Sequence, residues 1–158
     1  MKDKDYIVVV QCHIVKERCS GYLCERAFFH RTGLFEDYPE GKPVRFLSLT
    51  CGGCCGRALH RKLSNLIKKI KMKEKISKDR IGVHLSSCIS FESYHGPECP
   101  HKEYLKEMIV VKSGLELIEG SNISKLTEKR RVEGIYVNRK TKWTKAEVKN
   151  IKSKNYTD

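Results

Sequence analysis

Three runs rich in apolar residues each end at a cysteine, and this recurrence constrains the chain more than any other feature. Tyr6-Ile7-Val8-Val9-Val10-Gln11 leads into Cys12, residues 44–50 lead into Cys51, and residues 80–87 lead into Cys88. The first run is continuous and β-branched, which suits a strand buried on both faces, as in a parallel sheet. Helical patterns separate the runs. Residues 25–31 read as one helix, with Gly33 as its stop. In residues 57–71 the apolar positions Leu59, Leu63, Leu66, Ile67 and Ile70 keep helical spacing, with Lys and Arg on the outer face.

After Cys88 comes an irregular loop over residues 89–98, whose Gly96-Pro97 pair is turn chemistry. Cys99-Pro100-His101 then opens a third helix, with Pro100 at its first position and Tyr104, Leu105, Met108, Ile109 and Val111 as its apolar face. Gly114 closes it, and Leu115-Glu116-Leu117-Ile118 is a short fourth strand. The order β-α-β-α-β-α-β predicts an α/β fold of three layers. Its core is a doubly wound, mainly parallel four-stranded sheet of the Rossmann or flavodoxin-like type, with right-handed crossovers.

The 158 residues suffice for one ordinary core over residues 1–123 and an appendage over 124–158. That appendage is basic: it holds eleven Lys and Arg against four Asp and Glu, within a net charge of +13 for the whole chain. It reads as a strand near residues 131–137 and a short helix over 145–152, capped through Thr144 and Glu147. A solvated surface is the first explanation of such a tail, and binding of nucleic acid, with Tyr136 and Trp143 among the cations, is the second. The N-terminus is charged and carries no apolar leader, so a cytoplasmic protein with no membrane span is expected.

Eight cysteines and six histidines stand out in the composition. In an α/β domain they point to metal or redox chemistry rather than to a disulfide framework, which suits short secreted chains. Adjacent parallel strands lie about 4.8 Å apart, so Cys12, Cys51 and Cys88 at strand ends would meet at the sheet's carboxyl edge. That edge is where ligands bind in such folds. Cys51-Gly52-Gly53-Cys54 adds a second thiol in the turn before a helix, and backbone N–H groups of Gly52 and Gly53 would stabilise thiolates there. Cys99 and His101 approach from the next helix start. The predicted ligand set is therefore Cys12, Cys51, Cys54, Cys88, Cys99 and His101. Its softness favours zinc or an iron–sulfur cluster over magnesium or calcium. A cluster left with an open iron would admit a small-molecule substrate for sulfur chemistry.

Cys19, Cys24, Cys55, His13 and His95 are left undecided between ligand and ordinary packing. His84, inside a strand, reads as a hydrogen-bonded core residue, and His30 and His60 as surface groups on helices. Strand–Cys51-x-x-Cys54–helix is also the layout of a thiol–disulfide oxidoreductase, with Cys51 as the exposed nucleophile and Cys54 resolving. Another alternative is a nucleic-acid-associated module with a structural metal and the basic tail.

With Cys51-Gly52-Gly53-Cys54, Leu85-Ser86-Ser87-Cys88, Cys99-Pro100-His101, and Cys19 and Cys24 ahead of the first helix, the chain resembles the CGGC-domain family of small prokaryotic proteins over about residues 6–119. The resemblance implies a metal-binding domain, with zinc suggested by the cysteines and histidines, and fixes no reaction. Cys55 and Gly120-Ser121-Asn122 depart from the family pattern, and the segment after residue 124 lies outside it.

Overall fold

A computed structural model describes residue 1 and residues 3–53, 56–137 and 142–143. Its centre is β1 (Tyr6–Gln11), all six residues of which are buried. On one side β1 pairs in parallel with β2 (Arg45–Thr50), and on the other with β3 (Ile81–Leu85). In turn β3 pairs in parallel with β4 (Glu116–Glu119), giving the order β2-β1-β3-β4. A two-residue β5 (Lys142–Trp143) pairs antiparallel with β4 and ends the sheet.

The run in β1 lacks alternation because both of its faces are covered. Val8 and Val10 face a core built with Leu59, Leu63 and Ile109, whereas Ile7 and Val9 face Phe28, Phe35 and Tyr38. Each such aliphatic side chain contributes about 1.5–3 kcal/mol on burial, so this one strand anchors two cores. The first core is closed by α2 (Arg57–Glu74) and α4 (Lys102–Glu107), the latter continuing as a π-helical turn over Met108–Lys112. The second is closed by α1 (Tyr22–Phe29). The doubly wound architecture expected of the sequence is thus the one observed. No helix among the described residues is long and apolar enough to cross a membrane.

Several boundaries differ from the sequence reading. Helix α1 starts at Tyr22, not near residue 25, because left-handed Gly21 turns the chain and the Ser20 hydroxyl accepts the Tyr22 N–H at 3.2 Å. β3 closes at Leu85, and a single helical turn, α3 (Ser87–Ser90), follows. Pro100 precedes the helix it was expected to begin, since α4 opens at Lys102 with His101 as its N-cap. Residues 131–137 form no strand: α5 (Lys125–Val132) runs into them. The Arg131 guanidinium is turned inward there, onto the Val137 and Glu92 carbonyls at 2.9 and 3.0 Å. The helix expected over 145–152 lies outside the described residues.

Gly56, at the N-cap of α2, has φ +61°, and a Cβ there would come within 2.7 Å of the Tyr104 ring. The Tyr104 side chain is half in solvent and can swing aside, so the left-handed backbone sets the penalty. Gly56→Ala is expected to lower stability by about 1–2 kcal/mol in urea unfolding.

Candidate metal centre

The chain leaves β1 through α1 toward β2, and leaves β3 through α4 toward β4, on the opposite side. The connections therefore diverge between β1 and β3, which is where an open α/β sheet leaves a crevice at its carboxyl edge. Backbone hydrogen bonds carry the pairing just past the strands. Cys51 N–H donates to the Gln11 carbonyl and Ser86 N–H to the Val10 carbonyl, each at 2.9 Å.

Cys12 and Cys88 face each other across this crevice. The Cys12 backbone N–H points at Cys88 Sγ at 3.5 Å, and the Ser86 hydroxyl lies 3.0 Å from the same sulfur. Burial pushes the Cys88 thiol above its ordinary pKa, and the Cys24 and Cys12 thiols add to that, while Ser86 and the Cys12 N–H oppose it. Cys24 lines the same cavity as Cys88. Its Sγ sits 3.3 Å from Ser121 Oγ, and the Ser121 hydroxyl accepts the Ser87 N–H at 3.2 Å. The Ser121 N–H returns a bond to Ser87 Oγ at 3.0 Å, which pins the end of β4 to the turn bearing Cys88.

The other predicted ligands are placed differently. Cys88 lies not at the end of β3 but within α3, three positions beyond Leu85, and this offset is what brings its sulfur back toward Cys12. Cys51 is 6 % exposed and packs in the core shared by Leu59 and Leu105, and half-buried Cys12, Cys88 and Cys99 all lie against that same core. The Cys99 N–H donates to the Ile89 carbonyl at 2.8 Å, and His101 is exposed. Gly52 and Gly53 take positive φ of 82° and 100°, and Cys54 and Cys55 lie outside the described residues. His13 is exposed beside Thr50. Among the described residues no three Cys, His, Asp or Glu side chains are arranged to hold a metal ion.

Cys24 was left undecided by the sequence because its position depends on where α1 starts. The signal was Ser20-Gly21, which sets the helix entry and so puts Cys24 in the first turn. Beside the Cys24–Cys88 side of the crevice opens a cavity of about 220 Å³, lined also by Cys19 and His95. Burial, with Arg18 nearby, lowers the His95 pKa.

A family model described as the CGGC domain matches residues 6–122 of the chain. No curated protein and no solved structure matches it.

Proposed function

The chain belongs to the CGGC-domain family, and from that premise we propose that it binds a thiophilic metal, as zinc or as an iron–sulfur cluster, at the carboxyl edge of its sheet. Cys12, Cys51, Cys54 and Cys88 are the thiols assigned to it, with Cys24 recruited beside Cys88, and Cys99 and His101 on the α4 side. The observation that carries this reading is the pair of polar groups aimed at Cys88 Sγ, the Cys12 N–H and the Ser86 hydroxyl. The Cys12 N–H donates to this sulfur, and once Cys88 is a metal-bound thiolate, which can only accept, the Ser86 hydroxyl would donate to it as well.

The donor chemistry fits such a metal, and the spacing of the described thiols does not yet close a site. Metal sites are commonly completed only on binding, because ligands must lose protons and the chain must close around the ion. Cys12, Cys24 and Cys88 are assigned to hold the metal from the β1–β3 crevice, with Cys51 and Cys54 as further thiol ligands. When bound, the metal supplies either structural cross-linking or a Lewis-acidic or redox centre next to the cavity. The reciprocal Ser87–Ser121 hydrogen bonds tie the ends of β3 and β4 together around it.

A redox reading of Cys51 and Cys54 is less well supported. An attacking thiolate needs exposure and a helix start, whereas Cys51 is buried and α2 begins only at Arg57.

Protein purified without oxygen is expected to carry near-stoichiometric zinc, or iron together with acid-labile sulfide. Elemental analysis, sulfide assay and the visible spectrum decide between these two. Protein that holds neither, and takes up neither on reconstitution, would overturn the proposal.

A further inference from the structure

The cavity beside Cys24 and Cys88 has a lining suited to a particular class of molecule. Leu23, Phe91, Tyr94 and Leu126 give it apolar walls, although Tyr94 is 81 % exposed and Leu23 and Leu126 are more than half exposed. Apolar side chains left in water around a concave site mark a ligand surface more often than a structural one. Among them stand two cations from separate elements, Lys16 from the β1–α1 connection and Arg130 from α5.

Neither cation is neutralised. Lys16 Nζ donates to the Ser20 carbonyl at 2.6 Å and Arg130 donates to the Tyr136 hydroxyl at 2.7 Å. Neither has a carboxylate partner among the described residues. The neighbouring Arg131 differs: its guanidinium is spent on Glu128 and on two backbone carbonyls, which also cancels the one acidic charge of the lining. Backbone is shaped to keep Lys16 here. Gly21, at φ +83°, lies so close to Lys16 Nζ and to the Gln11 amide that a Cβ would sit 2.8 Å from each.

We infer that this cavity binds a small organic anion with an apolar body, such as an arylalkyl carboxylate, held by Lys16 and Arg130 with its apolar part against Phe91 and Leu126. The inference rests on the proposed metal centre only for what lies next door: a bound anion would stand beside Cys24 and Cys88. Its binding chemistry belongs to the cavity itself.

Cys19 lines the cavity without belonging to the proposed ligand set, so its alkylation by iodoacetamide reports occupancy in metal-loaded and chelator-treated protein alike. In that reaction the sulfur displaces iodide and the thiol proton passes to solvent. Phenylacetate is expected to slow Cys19 alkylation saturably, and phenylacetamide, its neutral isostere, to do so with roughly 10-fold weaker affinity. Free N-acetylcysteine in the same mixture serves as the control and is expected to react at an unchanged rate. Lys16→Gln and Arg130→Gln should each weaken phenylacetate roughly 5-fold, and Arg130→Lys should recover most of that loss. Equal protection by acid and amide, or protection indifferent to both Gln variants, overturns the inference. Metal content is measured on the same samples. Carboxylate-selective protection in protein that binds no metal would therefore sink the metal proposal and leave this one standing.

Discussion

Cys88→Ser is expected to weaken metal retention by at least roughly 100-fold, because loss of a ligand should reach or exceed the roughly 10–100-fold that loss of an outer hydrogen-bond partner costs. Serine is a hard, weakly acidic oxygen donor in place of a polarisable thiolate, and its shorter reach leaves the Cys12 N–H without the acceptor it points at. Titration against a chromophoric chelator measures the change directly. The apo protein should tolerate the substitution, since Cys88 is half-buried in a single turn and the Ser87–Ser121 bonds that hold this turn do not use its sulfur. Unchanged urea unfolding of the apo variant, beside lost metal, separates ligation from folding. Cys24→Ser provides the sharper comparison. If Cys24 is recruited as proposed, its loss approaches that of Cys88→Ser. If Cys88→Ser retains metal as the wild type does, the centre between β1 and β3 is not where the metal sits.

The sheet was legible because its signal is local. A continuous β-branched run such as Tyr6–Val10 can be satisfied only by cover on both faces, and the spacing of Leu59, Leu63 and Ile70 allows one buried helical stripe. The approach of the Cys12 backbone to Cys88 was legible for the same reason, since parallel register carries strand ends to a common edge. The finer placement was not. How deeply a thiol at a strand end is buried depends on the turn that follows. One helical turn leaves Cys88 half-buried with its sulfur toward the Cys12 amide, while Cys51 is sunk within the core that Cys12 and Cys88 only flank. Cys24 was obscured by two exposed apolar residues, Tyr22 and Leu23, which weaken the amphipathic signal at the start of α1. Arg131 misled in the opposite direction. A buried arginine bonding three acceptors sits in a segment that composition reads as solvated.

Replacing His84 is expected to abolish an acid-dependent loss of stability on the order of 2–3 kcal/mol between pH 7.5 and pH 4.5. His84 is fully buried in β3, against the Phe35 ring at 4.4 Å. Its Nδ1 lies 2.8 Å from the Gly120 carbonyl, which can only accept, so Nδ1 carries the proton and Nε2 accepts from the Tyr38 hydroxyl, also at 2.8 Å. A second proton would need Nε2 to become a donor in an apolar pocket, and burial accordingly holds the imidazole pKa down to about 4. In the unfolded chain it returns to about 6.5. Between those values the unfolded state binds more protons, so stability drops as pH falls from about 6.5 toward 4. On the opposite face of the sheet Glu119 works the other way. Burial raises its carboxyl to about 7 despite Lys106 and Lys102, so the native state is the one that takes up its proton, and stability rises as pH falls from about 7 toward the ordinary carboxylate range. The wild-type profile is therefore expected to be shallow through mild acid, with two slopes of opposite sign opposing each other. His84→Gln removes one of them. The variant should be less stable than wild type at pH 7.5 and regain roughly 2–3 kcal/mol on it by pH 4.5, read from urea unfolding across the interval. Parallel profiles for the two proteins would mean that His84 is charged or solvated in the native state, and that burial does not hold its pKa down.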